Sequence, residues 1–301
     1  MQSLVILGIV GFLAQLINSG LGMGYGVTST TFLLLIGTSP ALASATVNLS
    51  QVGSQFVSGF AHWRFGNVDW KVAPRIAVPG AIGAFVGALL LSRLSTEAAG
   101  PLMSTILLGL GVYLLLRFTV RGMPRGALGK PLRAGFLTPL GLVAGFMNST
   151  GGGGWGPVGT TALLASGRLE PRRVIGSISV AEFAVVVAGS AGFALGLGLG
   201  GINFHWVLVM LLGGVLAAPA AAWLARAVPP RMLGALVGGL IILTNTRVLV
   251  DSAVLPVGPA GAYAVYGAVV LAWITAVGVS WRAHRLDREA ERASEPEPAA
   301  R

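Results

Sequence analysis

Residues 17–26 read INSGLGMGYG and residues 147–156 read MNSTGGGGWG. Each stretch interrupts a long apolar run, Leu4–Ile36 and Ala134–Ser166, and cuts it into pieces of about 12 to 17 residues, where a membrane-crossing helix needs about 20. Glycine runs of this kind cradle phosphate in nucleotide-binding folds, but that chemistry needs a Lys-Ser/Thr end to the loop and a preceding strand. Neither is present. The other reading is a helix broken inside a membrane.

Composition favours the membrane. The 301 residues are 54% hydrophobic and only 10% charged, with a mean hydropathy of +0.80. That leaves too little polar surface to cover a water-soluble globule. The net charge of +10 does not indicate nucleic acid, because the basic residues sit in short loops between apolar runs and not on one aromatic-rich face. The chain has no cysteine, so no disulfide framework or thiolate metal site is expected. MQSLVILGIVGFLAQL lacks the basic start and small-residue cleavage site of a secretory signal and reads as mature protein.

Spans are predicted at Ala41–His62, Val72–Leu91, Pro101–Phe118, Val174–Gly198, Trp206–Ala225, Met232–Val250 and Ala260–Trp281. The positive-inside rule decides how the two broken regions run. If both return to the side on which they began, or cross twice, 18 of the 20 Lys and Arg residues fall in the cytoplasm and only Arg93 and Arg247 outside. If each crosses once, the division becomes 9 against 11. The returning arrangement is therefore expected, with the C-terminus cytoplasmic and the N-terminus outside. It also makes the two halves inverted relative to each other.

A spacing of 130 residues relates the halves. It pairs Gly11 with Gly141, Asn18 with Asn148, Ser19 with Ser149, Gly22 with Gly152, Gly24 with Gly154, Gly26 with Gly156 and Thr30 with Thr160. Thr31 pairs with Thr161, Gly37 with Gly167, Arg117 with Arg247, and Tyr25 stands opposite Trp155. Chance matches of Gly and Ala do not account for Asn-Ser, Thr-Thr and the aromatic together.

Unpaired backbone cannot face lipid and must be buried in protein or line a wet cavity. Interrupted apolar segments at matching positions of two inverted halves point to a substrate site at the bilayer midplane. Helices restarting near Gly26 and Gly156 would aim free N–H groups and positive dipole ends into that site, which suits an anion. The predicted substrate contacts are Asn18, Ser19, Gly22, Gly24, Gly26, Thr30, Asn148, Ser149, Gly152, Gly154, Gly156 and Thr160. The competing reading is that the glycines serve tight helix packing.

Glu182 is the one acidic residue well inside a predicted span, where charge is costly and serves as a proton relay or coupling site. With one inserted residue after Thr38 it aligns with Gln51, and Ser179 aligns with Asn48, so both halves carry polar residues three apart on one helical face. These four form the expected coupling set. His62 and His205 stand beside Trp63 and Trp206 and are expected to anchor at the membrane interface. No His is placed to act as a base for an intramembrane hydrolase, so no enzyme is expected. No metal or cofactor is expected either.

The segments LINSGLGMGYGVTSTT, HWRFGNVDW, VPGAIGAFVGALL and GFMNSTGGGGWGPVGTTALLASGRLEPRRVIGSISVAEF resemble the sulfite exporter TauE/SafE family of bacterial anion transporters, over nearly the whole chain to about Val250. The resemblance implies a multispanning secondary transporter of two homologous halves that moves sulfite or organosulfonates such as sulfoacetate across the plasma membrane. Asn18, Asn148 and Gln51 depart from the acidic residues expected there in close relatives, which leaves Glu182 as the coupling candidate.

The expected fold is an all-α membrane protein of two inverted repeats, each a broken or re-entrant helical hairpin followed by three transmembrane helices, plus one C-terminal helix. The repeats are placed at 1–118 and 134–250, a basic cytoplasmic linker at 119–133, the extra helix at 260–281, and a cytoplasmic tail at 282–301 that begins helical and frays. The function expected is transport of a small sulfur oxyanion by alternating access, with a proton as candidate coupling partner. An uncoupled anion channel and a scaffold without transport are the alternatives.

Overall fold

Each apolar run forms a helix, and each glycine stretch forms a break. The computed structural model describes residues 2–21, 23–120, 128–227, 230–252 and 254–294, and no strand occurs among them. The first half contains α1 (Gln2–Leu21), α2 (Tyr25–Leu35), α3 (Pro40–Arg64), α4 (Ala73–Arg93) and α5 (Thr96–Val120). The second contains α6 (Ala134–Thr150), a π-helical turn (Trp155–Thr160) running into α7 (Thr161–Ser166), then α8 (Pro171–Leu197), α9 (Phe204–Ala227) and α10 (Pro230–Asp251). Finally, α11 spans Pro259–Ser294. All seven expected spans are helices. The third of them starts earlier than expected, because Ser95 Oγ accepts a bond from the Ala98 N–H and begins α5 ahead of Pro101. At the other end, α11 continues without a break to Ser294; residues 295–301 lie outside the described ones.

Five helices, α4, α5, α8, α10 and α11, are long and apolar enough to cross a membrane. The helix α3 has the length but not the hydropathy, because Ser44, Thr46, Asn48, Ser50, Gln51 and Gln55 are buried along it. Its polar face can be tolerated only when turned toward other helices or a wet cavity.

Close backbone approach explains where the glycines fall. The helix α1 packs along α9 and α6 along α4. A side chain at Gly11 would strike the Met210 carbonyl and one at Gly213 the Gly8 carbonyl. In the other half, one at Gly141 would meet Ile76 O at 2.6 Å and one at Gly145 would strike the Gly80 carbonyl. Gly11 and Gly141, paired in sequence, thus do the same work: each lets the first helix of its half pack on the fourth helix of the other. Small residues allow this contact where lipid supplies no hydrophobic drive to helix association. The third helices of the two halves, α3 and α8, also pack together, as do the fifth, α5 and α10.

The second broken region returns to where it began. Gly129 N–H donates to Arg168 O at 3.0 Å, and Arg168 Nη1 donates to Pro131 O at 2.9 Å, which ties the segment before α6 to the segment after α7. In the first region Leu7 of α1 and Leu33 of α2 share one buried cluster, with Leu4, Phe32 and Leu34 against it.

Candidate functional site

The two breaks meet each other. In the first, Gly24 precedes α2 with φ of 111°, a conformation open to glycine and strained for other residues. In the second, Gly152 has φ of 70° and the chain restarts as a π-helical turn, a form found often at functional sites. A side chain on Gly26 would lie 2.6 Å from both Gly152 O and Gly153 Cα, and one on Gly153 would strike Val27 N. Thr30 Oγ1 donates across the junction to Gly152 O at 2.9 Å.

Beside this junction lies a cavity of about 380 Å³. Its wall includes Asn18, Gly24 and Gly26 of the first break, Asn148, Gly156 and Thr160 of the second, and Gln51, Ser179 and Glu182 from α3 and α8. Nine of the expected residues therefore come together around one space. Thr160 is 1% exposed and belongs to this wall, and its hydroxyl has no partner among the described residues. Gln51 Nε2 donates to Glu182 Oε1 at 3.3 Å, leaving Gln51 Oε1 buried without a partner. The two positions aligned from sequence thus touch where α3 crosses α8. Among the described residues no Lys or Arg lines the cavity, so a ligand there would be held by dipoles and hydrogen bonds.

Asn148 holds the second restart in place. Its Oδ1 accepts from Trp155 N–H at 3.3 Å and its Nδ2 donates to Asn48 Oδ1 at 3.2 Å. The Trp155 ring is fully buried, and its Nε1 donates to Ile178 O at 3.3 Å. Asn148→Ala removes an acceptor from a buried N–H, a cost of about 1–3 kcal/mol. The expected result is a lower melting temperature in detergent, with Asn148→Asp, which keeps an acceptor for the Trp155 N–H, recovering most of the loss.

Several expected contacts lie elsewhere. Thr30 spends its hydroxyl on Gly152. Asn48 stands behind Asn148 and donates to Ser44 O at 2.9 Å. Ser149 O accepts from Ser44 Oγ at 2.6 Å, and Ser149 Oγ is buried away from the cavity. Gly152 packs on Thr30, and Gly154 packs on Met147 and Asn148; these glycines make room for backbone and do not border the space. Gly22 lies outside the described residues, as does the side chain of Ser19.

Sequence reasoning missed Gln15, Gln55, Ser58 and His62 of the wall. His62, expected as an interfacial anchor, borders the cavity. The signal was available: Gln51, Gln55, Ser58 and His62 are spaced by four, three and four residues, which is one stripe of a helix.

Two broken helical regions meeting at a polar cavity inside a bundle of membrane-length helices define a multi-pass membrane transporter. The comparisons agree. The family model described as sulfite exporter TauE/SafE matches residues 7–248, and the chain belongs to that family. It is 45% identical over 285 residues to the probable membrane transporter protein YtnM of Bacillus subtilis, covering 92% of each chain. It is 24% identical over 200 residues to the probable membrane transporter protein YdhB of the same organism, covering 64% of this chain and 78% of that one. No solved structure matches.

Proposed function

We propose that this protein is a secondary transporter that carries a small sulfur oxyanion, sulfite or an organosulfonate, across the bacterial plasma membrane by alternating access. In this reading the halves 1–118 and 134–250 are inverted repeats, the C-terminus is cytoplasmic and the N-terminus outside. The observation that carries it is the cavity at the meeting of the two breaks, lined by amide and hydroxyl groups and by one carboxylate.

The position of the wall along the helices supports a one-sided state. From α3 it takes Gln51, Gln55, Ser58 and His62, and from α8 Ile175, Ile178, Ser179 and Glu182. All lie between the helix middles and the ends where Asp69 N–H bonds to Ser177 Oγ at 2.8 Å. Those ends carry Arg64, Lys71, Arg75, Arg172 and Arg173, so the cavity faces the cytoplasm by the positive-inside rule. On the far side Ser44, Asn48, Asn148 and Ser149 form a hydrogen-bonded layer, against which Gly189 fits closely. Alternating access requires this layer to part while the cytoplasmic end closes.

Glu182 supplies the coupling in this reading. An ionised carboxylate about 5 Å from a bound anion, at an effective dielectric of about 20, repels it by about 3 kcal/mol, roughly a hundredfold in affinity. Anion binding then demands the protonated acid. Protonation also reverses the polarity of the Gln51 pair: the acid O–H donates to Gln51 Oε1, and the amide turns its Nε2 donors to the anion. The proton thus both removes a repulsion and creates a donor.

The test is uptake into proteoliposomes of sulfite, sulfate, thiosulfate and sulfoacetate, with and without an imposed pH gradient. Saturable uptake of sulfite or sulfoacetate, driven by the gradient, is expected. Uptake of none of the four would remove the proposal.

A further inference from the structure

We propose that a groove at the foot of α6 and α7 binds the headgroup of an anionic phospholipid. The groove has a volume of about 980 Å³ and is separate from the cavity at the breaks. Lys130, Arg133 and Arg168 stand on its wall together with Phe136, Ala162 and Ala165. The charged groups belong to the loops that end the helical hairpin, and the apolar groups belong to its first and last turns. That order matches an amphiphile lying at a membrane surface: phosphate against the loops, acyl chain against the helices.

The cations are available to it. Lys130 and Arg133 are exposed and have no carboxylate partner among the described residues. Glu170, the nearest acid in sequence, is bound by Arg172 at 2.6 Å. The Arg168 guanidinium is steadied by Pro131 O, a neutral acceptor that leaves its charge uncompensated. A carbonyl-anchored arginine beside two uncommitted cations presents a fixed positive rim, and basic pockets of this kind at the cytoplasmic ends of transmembrane helices recognise anionic headgroups. A free anion such as phosphate would gain nothing from Phe136, Ala162 and Ala165, whereas a lipid covers them. The bound lipid would brace the two ends of the second broken region, which are already tied through Gly129 and Arg168.

The experiment is native mass spectrometry of the full chain in detergent, with phosphatidylglycerol and phosphatidylcholine of the same acyl composition. Preferential retention of phosphatidylglycerol is expected, reduced about tenfold or more in K130Q/R133Q and kept in the charge-preserving K130R/R133K. Both changes are on exposed side chains, and thermal melting of each variant verifies the fold. Equal retention of the two lipids, or retention of phosphatidylglycerol unchanged in K130Q/R133Q, overturns the proposal. Displacement of the lipid by millimolar inorganic phosphate would also overturn it, in favour of a free-anion site.

Discussion

Glu182→Gln leaves the anion free to move down its own gradient and abolishes the response of that movement to an imposed pH gradient. Glutamine has nearly the shape of a protonated glutamic acid and cannot release a proton. It can still meet Gln51 across the 3.3 Å contact between α3 and α8, so the packing of the two helices is kept. In the proposed coupling, deprotonation of Glu182 puts a second negative charge in a cavity whose described wall holds no Lys or Arg, so anion affinity falls as pH rises. In the variant that dependence flattens, and counterflow of labelled against unlabelled anion continues at every pH. Measured with a pH-sensitive dye inside the vesicles, proton movement during anion uptake should vanish. Persistence of gradient-driven uptake in the variant would exclude Glu182 as the coupling group.

Gly153→Ala stops transport more completely than the loss of any single hydrogen bond. A methyl group at this position falls on Val27 N and the Gly26 carbonyl carbon, which are backbone atoms with no rotamer to yield. The two breaks must then separate by an ångström or more, carrying Gly26 away from Asn148 and Thr160. A displacement of about 1 Å at a positioning contact costs roughly a hundredfold in rate. Gly109→Ala in α5, where a methyl group meets nothing within 4 Å, serves as the control. Both variants should reach the membrane in similar amounts, since neither changes the hydropathy of a span. Native flux in Gly153→Ala would show that the junction of the breaks is not where the solute is held.

Most of this architecture was legible because the rules behind it are local. A run of 20 apolar residues reads as a helix whatever surrounds it, and a cluster of glycines with Asn-Ser in such a run reads as a break. Basic residues in the loops then carried the expectation that the second region returns, and the bonds between Gly129, Arg168 and Pro131 meet it. What was not legible depends on direction around a helix axis. Thr30 and Thr160 are equivalent in sequence, yet Thr30 spends its hydroxyl on the Gly152 carbonyl and Thr160 lines the cavity; the difference arises only when the two halves are packed. Asn48 was placed with the coupling residues from its spacing to Gln51, but it stands one turn away from the cavity and supports Asn148. His62 was assigned by its neighbour Trp63 at the end of a span, whereas the stripe that includes Gln51, Gln55 and Ser58 decides which way it points.

That stripe has no match in the other half. The helix α8 at the corresponding spacing from Glu182 carries Val186, Gly189 and Phe193, and Val186 and Phe193 are wholly buried. The α3 stripe therefore puts groups that hold water beside the cavity, while the same spacing on α8 puts apolar side chains into the packed interior. The two halves, if they descend from one repeat as proposed, do not share equal wettability. In the proposed transport cycle a solute moving along α3 stays hydrated. In that proposed cycle the two directions of flux should consequently differ in rate even at equal driving force.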